Sequence, residues 1–236
     1  MMKKTIWIVL FALFCGLSPV SHLSAAVEYQ VDMSSRFIWR GFDLNPQNKP
    51  VLQPSVTFTL GESGLSLNLW SSFSFVSKDL DEVDATLSYD FQLSEGVAMT
   101  VGLIHYGWYF VDGFTFKDHT TQELYATLGF QRLPLAPELS VYYDFGNGDG
   151  LYLKLAVSHS LRLSEELNLD LSASLGYNDN LWITDSGLSD LNVGAAVPFK
   201  IDNVTVSPFL NFTLVLLDAV NPGVDNEFWA GISIIF

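Results

Sequence analysis

From Val27 onward, apolar residues return at every second position, segment after segment. Leu151, Leu153, Leu155, Val157, Leu161 and Leu163 interleave with Tyr152, Lys154, Ala156, Ser158, Ser160 and Arg162. Leu167, Leu169, Leu171, Ala173 and Leu175 interleave with Asn168, Asp170, Ser172, Ser174 and Gly176. Val83, Ala85, Leu87, Tyr89, Phe91 and Leu93 alternate with Asp84, Thr86, Ser88, Asp90 and Gln92. A period of two belongs to a strand, whose successive side chains point to opposite faces. The pattern predicts strands near 27–41, 51–60, 65–76, 82–93, 97–110, 121–131, 138–146, 151–163, 167–178, 188–200, 203–217 and 226–236. Each is long enough for the roughly 9–11 residues with which a tilted strand crosses a membrane.

The connectors alternate as well. Those at 61–64, 94–96, 133–137, 164–166 and 201–203 are short; those at 42–50, 111–120, 179–187 and 218–225 are longer. Short periplasmic turns and long outer loops are the habit of outer-membrane barrels. The expected fold is therefore all-β: a transmembrane antiparallel up-and-down β-barrel of about twelve strands over residues 27–236. Twelve is even, so both termini are expected on the periplasmic side.

A soluble sandwich or lipocalin-like barrel would show the same alternation with its faces exchanged. Three features favour the inside-out form. The polar face is rich in Ser, Thr, Gly, Asn and Tyr, where a soluble surface would carry more lysine and glutamate. Aromatic residues gather at both ends of the apolar face, Phe37, Trp39, Phe73, Phe75 and Tyr177 at one and Tyr89, Phe91 and Phe199 at the other, as two girdles would. The chain stops on Phe228, Ala230, Ile232, Ile234 and Phe236, which resembles the terminal assembly signal of outer-membrane proteins and makes the barrel-assembly machinery an expected partner through Phe236.

The first 26 residues read as an export signal. Lys3 and Lys4 precede an apolar stretch at 6–17, too short to span a bilayer as a helix, and Ser24, Ala25 and Ala26 supply small residues for cleavage after Ala26. Loss of this leader takes the net charge from −15 to −17, which disfavours nucleic acid as a partner. Hydrophobic residues at 49% and aromatic ones at 14% rule out a disordered chain. Cys15, the sole cysteine, lies in the leader, and Phe14 stands where a lipoprotein signal needs a small residue. The mature chain then has neither disulfides nor cysteine-ligated metals, and no cofactor is expected.

Residues 35–72 carry a more specific resemblance. Ser35-Arg36-Phe37-Ile38-Trp39-Arg40-Gly41, then Pro50-Val51-Leu52-Gln53, then Gly64 and Trp70-Ser71-Ser72 are similar to the TorF-like porins, also described as Gcw_chp proteins. Phe37 stands where that pattern has tyrosine. The resemblance implies a porin-like channel without naming a solute.

Enzymatic readings find little support. His159 lies between Ser158 and Ser160, but neighbours on a strand face opposite ways, so no Ser–His pair forms readily. His119 with Asp118 in the longest loop lacks the further carboxylates of a barrel protease. The run 144–150 (DFGNGDG) misses calcium-loop spacing, and Asn147, Gly148 and Gly150 suit the left-handed positions of a hairpin. A barrel hydrolase of lipase or protease type, or a closed structural or adhesive barrel, is the alternative to a channel.

The inward phase holds the candidate functional residues. Acids are Glu28, Asp32, Asp84, Asp90, Glu123, Asp144, Asp170, Asp190 and Glu227; bases are Arg36, Arg40, Lys154, Arg162 and Lys200. Of these, Arg36, Arg40, Asp84, Glu123, Asp144, Lys154, Asp190 and Glu227 are the expected pore-lining set. The outer loops add Asp43, Asp79, Asp81, Glu82, Asp112, Asp118, Asp149, Asp179, Asp185, Asp218 and Asp225 against Lys49, Lys78 and Lys117. The expectation is passive diffusion of small hydrophilic solutes through an outer-membrane channel with mild cation preference. Arg36 and Arg40 on the first strand would form a basic wall facing Glu123 and Asp144, with Lys154 directly across its hairpin from Asp144. The competing arrangement pairs Arg36 or Arg40 with Glu227 and Lys154 with Asp144, leaving no field across the pore.

Overall fold

The computed structural model describes residues 25–45, 50–76, 78, 80–108, 120–165 and 167–236. Residues 1–24 of the expected leader, together with Asp118 and His119, lie outside them, while Ala25 and Ala26 belong to β1. The strands are β1 (Ala25–Ser34), β2 (Ile38–Trp39), β3 (Phe42–Asp43), β4 (Val51–Leu60), β5 (Leu65–Ser74), β6 (Leu80–Ser94) and β7 (Val97–Trp108). They continue as β8 (Thr120–Phe130), β9 (Glu138–Asp144), β10 (Gly150–Arg162), β11 (Asn168–Asp179), β12 (Ser186–Ala196), β13 (Phe199–Ile201), β14 (Val204–Val215) and β15 (Glu227–Ile235).

Twelve of these form one antiparallel sheet that closes on itself. Each strand from β4 to β12 pairs with the next, β12 pairs with β14, β14 with β15, and β1 joins β15 to β4. At the seam Gln30 opposes Ile235 and Ser34 opposes Gly231, and the Phe236 N–H donates to the Tyr29 carbonyl at 2.9 Å. Each of the twelve barrel strands thus has a partner on both sides, which is what lets a sheet sit in hydrocarbon. β13 pairs only with the start of β14. The start of β1 at Ala25, Phe236 and the short turns share one rim, and the longer loops share the other.

The faces are inverted relative to a soluble barrel. On β8, Glu123 is fully buried while the adjacent Leu124 is 53% exposed. Leu155, Leu188, Val193, Leu210 and Phe228 likewise point outward and stay exposed, whereas Tyr152, Asn178, Asp190 and Thr213 are buried within. An apolar outer wall around a polar interior is a surface for lipid.

Three expectations need correction. First, β1 ends at Ser34 rather than continuing to 41, and Phe37 and Trp39 lie inside the barrel instead of in an outer girdle. Trp39 opposes Phe42 across a two-residue turn at Arg40 (φ 49°) and Gly41 (φ 82°), so the chain doubles back into the lumen. Turns of this hand need positive φ at both central residues. Glycine takes that conformation freely; Arg40 takes it at about 1–2 kcal/mol. Phe37, Phe42, Leu44 and Val51 form the core of this inserted tongue, with Trp39, Trp70, Ile183 and Val224 packed on it.

Second, in the 144–150 hairpin the left-handed residue is Asp149 (φ 43°), not Asn147, Gly148 or Gly150. The two glycines serve close approach: a Cβ at Gly148 would meet the Asp144 carboxylate, and one at Gly150 the backbone of Leu181. Third, the strand expected over 188–200 ends at Ala196, with β13 separate at Phe199–Ile201, and β12 carries a bulge. Leu191 opposes Leu175 and Leu188 opposes Tyr177, so Ser189 and Asp190 together face Gly176 and both are fully buried. A bulge re-aims side chains in this way, and two polar groups thus reach the lumen from consecutive positions.

The seam yields a direct test. Amides paired at Ser35–Ala230 and Phe236–Tyr29 make Asp32–Ser233 a non-hydrogen-bonded pair, where opposing residues come closest. Asp32→Cys with Ser233→Cys should oxidise to a disulfide across β1 and β15 in the folded protein, seen as altered mobility on a non-reducing denaturing gel. Absence of the crosslink under oxidant would contradict closure in this register.

Candidate functional site

The tongue crosses the lumen and is pinned at its tip. The Arg40 guanidinium reaches β8, where Nη1 lies 2.6 Å from Glu123 Oε1 and Nη2 lies 2.8 Å from Oε2. Tyr106 on β7 donates its hydroxyl to the same Oε2 at 2.8 Å. Three aromatic rings surround the cation: Trp39 at 4.4 Å, Tyr142 on β9 at 4.5 Å and Tyr152 on β10 at 4.7 Å from their centroids. A forked, charge-assisted pair is among the stronger polar contacts, and each desolvated cation–π contact adds about 0.5–2 kcal/mol.

A chain of hydrogen bonds carries this centre around the wall. Tyr152 donates to Asp190 Oδ1 at 2.8 Å, and Asn192 donates to the other Asp190 oxygen at 2.6 Å. Thr213 on β14 donates to Asn192 at 2.5 Å, and the indole N–H of Trp229 on β15 donates to Thr213 at 3.2 Å. Gly176 makes the Tyr152–Asp190 contact possible, since a Cβ there would strike the tyrosine hydroxyl and the carboxylate.

The tongue is also held by its backbone and base. The Arg40 carbonyl accepts from Ser189 at 3.2 Å and from Asn221 at 3.1 Å, which ties it to the β12 bulge and to the loop before β15. Arg36 Nη1 lies 2.6 Å from Glu227 and 3.3 Å from Asp43. Leu181 and Val220 from neighbouring loops are fully buried above. Trp108 meets Trp182 edge-on and stacks on Tyr106. The loop-rim half of the barrel is thereby narrowed to a constriction.

The other half is wider. Its wall carries small polar side chains, among them Ser172, Ser174, Asn192, Gly194 and Asn211, around a cavity of about 270 Å³ that also includes Glu138 and Lys154.

The expected site residues fall into distinct roles. Arg40, Glu123 and Asp190 converge on the constriction, and Arg36 and Glu227 brace its base. Asp84 opposes Tyr106 on the neighbouring strand. Lys154 does not face Asp144: its register partner is Ser140, while Asp144 opposes Gly150, and its ammonium lies 6.0 Å from the Tyr142 ring centre. Asp144 instead accepts from Thr121 at 2.6 Å and from the Gly146 and Gly148 amides, so it fastens the β9–β10 loop. The expected basic and acidic walls are therefore not opposed across open space. Arg40 touches Glu123 directly, and Asp144 takes no part. Tyr106, Tyr142, Tyr152, Ser189 and Asn221 were not anticipated; their inward phase was readable for the tyrosines, but the bulge and the loop fold were not. His159 opposes Leu171 on the exposed outer side, away from the inward-facing Ser158 and Ser160.

No family model matches the sequence, and no curated protein is similar to it. Solved structures are similar in shape. The KdgM porin is 9% identical with a TM-score of 0.55, over 90% of this chain and 98% of that one. The NanC porin is 10% identical with a TM-score of 0.53, over 89% and 98%. An outer-membrane channel from Pseudomonas putida F1 is 10% identical with a TM-score of 0.51, over 93% and 98%. This chain has the fold of those outer-membrane porin barrels. At such identities the likeness concerns backbone architecture alone; the constriction is described by this chain's own residues.

Removing one partner of a buried ion pair leaves an uncompensated charge and costs about 3–5 kcal/mol. Arg40→Ala should therefore destabilise the folded barrel by that order in urea unfolding from lipid vesicles. Arg40→Ala combined with Glu123→Gln should recover a large part of the loss. A double variant as unstable as the single one would show that the stranded carboxylate is not the cause.

Proposed function

We propose that this protein is an outer-membrane channel for passive diffusion of small hydrophilic solutes, with its selective step at the Arg40–Glu123 constriction. The observation that carries this reading is the division of a polar lumen into a wide half lined by small hydroxyl and amide groups and a narrow half closed down by a polar-anchored tongue. A barrel serving only as an anchor has no use for a hydrophilic cavity of that kind. Twelve strands give a width between the filled eight-stranded barrel and the open sixteen-stranded pore, so one inserted segment is enough to set the bore. The resemblance of residues 35–72 to TorF-like porins supports the reading and covers the tongue itself. The porin architecture shared with KdgM and NanC is consistent with it.

The proposed export signal at 1–26 and the apolar outer wall fit an outer-membrane location, with the assembly machinery as the proposed partner of Phe236. Both ends would then be periplasmic, with the tongue near the outer mouth. Solutes would pass without chemical change, so no residue is assigned catalysis. A sealed barrel is the second reading, favoured by the full burial of Glu123 behind an Arg40 side chain only 8% exposed.

The wall also sets the sign of selectivity. Arg36 is committed to Asp43 and Glu227, and Arg40 to Glu123. Glu28, Asp32, Asp84, Asp90, Asp144, Asp170 and Asp190 remain against Lys154, Arg162 and Lys200, so the path is net negative. Single-channel recording in planar bilayers should show cation-selective steps. The preference should be stronger at 0.1 M than at 1 M salt, where the screening length falls from about 10 to about 3 Å. Arg40→Ala should raise both unit conductance and cation preference. Silent wild-type and Arg40→Ala proteins would favour the sealed barrel, and a reversal potential of anionic sign would overturn the selectivity argument.

A further inference from the structure

Arg40 fills a pocket whose walls, Trp39 apart, belong to the barrel strands. Glu123, Tyr106, Tyr142 and Tyr152 stand on four adjacent strands, β7 to β10. Each is oriented by a contact independent of the tongue. Tyr106 is bonded to Glu123, Tyr152 to Asp190, and Tyr142 stacks on Tyr125 with centroids 5.7 Å apart. The result is a fixed carboxylate with two oxygens facing two aromatic rings, which matches a flat, forked cation in both charge and shape.

Closing the bore does not require such a pocket. An apolar tongue tip would seal the lumen as well, and replacing a buried ion pair by packed apolar groups is often neutral or stabilising. The tip also adopts its position with Arg40 in a left-handed conformation, a local cost that an ordinary plug would avoid.

We propose that the Glu123–Tyr142–Tyr152 pocket is a recognition site for solutes bearing a guanidinium or similar planar amidine cation, and that Arg40 occupies it as an internal stand-in which such a solute displaces. This deepens the channel reading by naming its solute class, and it rests on that reading only for the consequence that displacement opens the path. Binding to the pocket stands without it. The net negative lumen would draw such cations in, and the 270 Å³ cavity places Asn192, the partner of Asp190, on its wall.

The test uses the Arg40→Ala protein, folded in detergent, with ethylguanidinium as probe and ethylurea as its neutral isostere in calorimetric titrations. Ethylguanidinium should bind at least about tenfold more tightly than ethylurea, and adding Glu123→Gln should weaken it by about tenfold. No binding, equal affinity for the two probes, or indifference to Glu123→Gln would overturn the proposal. Should Arg40→Ala fail to fold, the otherwise intact protein with Cys15→Ser and Leu44→Cys carries the same question. Ethylguanidinium, and not ethylurea, should expose this thiol of the tongue core to a maleimide, and protection unchanged by either probe would count against it. Bilayer recording separates the two readings. Binding without conductance would reject the channel and keep the pocket, whereas conductance that guanidinium solutes leave unaltered would reject the pocket as a gate and keep the channel.

Discussion

The demand that every backbone N–H and C=O inside a bilayer find a partner shapes the rest of this molecule. Hydrocarbon offers no hydrogen bonds, so a sheet placed there must close. Closure at the β1–β15 seam decides the strand number, and the strand number decides how much room is left inside. Eight strands would leave space only for their own side chains. Twelve leave a bore that must be watered, lined or filled. The alternation that turns Leu124, Leu153 and Phe228 toward lipid turns Glu123, Tyr152 and Glu227 into that bore. The tongue answers both facts together, since it occupies surplus width and brings Arg36 and Arg40 as counter-charges to Glu227 and Glu123.

The parts of the fold that depend on period-two alternation were legible in the sequence. Strand β4 was anticipated at both ends, and most others to within two residues, because each has an unbroken rhythm bounded by Gly, Pro, Asn or Ser. The inward phase of Glu123, Asp190 and Glu227 followed from the same rhythm. What escaped was whatever breaks the rhythm. Residues 35–41 keep an aromatic alternation through Phe37 and Trp39, so they read as more of the first strand. Only the Arg40–Gly41 pair hinted at a reversal, and arginine is a poor marker of a left-handed turn. The β12 bulge was invisible for a related reason: Ser189 and Asp190 are both polar, and two polar neighbours do not announce that both point inward.

Lys154 shows a different limit. The expectation placed it opposite Asp144 by counting equal steps from the hairpin tip. The register is set by where the loop closes, and Asp144 closes it by accepting amides from Gly146 and Gly148. That capping brings Gly150 opposite Asp144 and carries Lys154 four residues deeper, beside Tyr142. Charge was countable from the sequence, but partnership depended on loop geometry. The same applies to Arg40, whose acid partner lies 83 residues away and four strands round from the nearest strand that flanks the tongue.

The asymmetry of the lumen has a consequence for how it can select. A filter works best where a solute must shed water against fixed groups, and the constriction supplies these from both sides: Glu123, Asp190 and three ring faces, held by bonds that run from Tyr106 to Trp229. The wide half offers only short hydroxyls and amides, which can hydrate a passing solute but hold it weakly. Under the proposed channel function, a solute entering from the loop rim would meet its costliest step first and then move into progressively more accommodating surroundings. The constriction also lies at the tongue, which is not woven into the barrel ladder. The ladder cannot yield without exposing backbone to lipid, whereas the tongue is held by side-chain contacts and two bonds to the Arg40 carbonyl. On that reading, selectivity and any change of bore would reside in the same few residues.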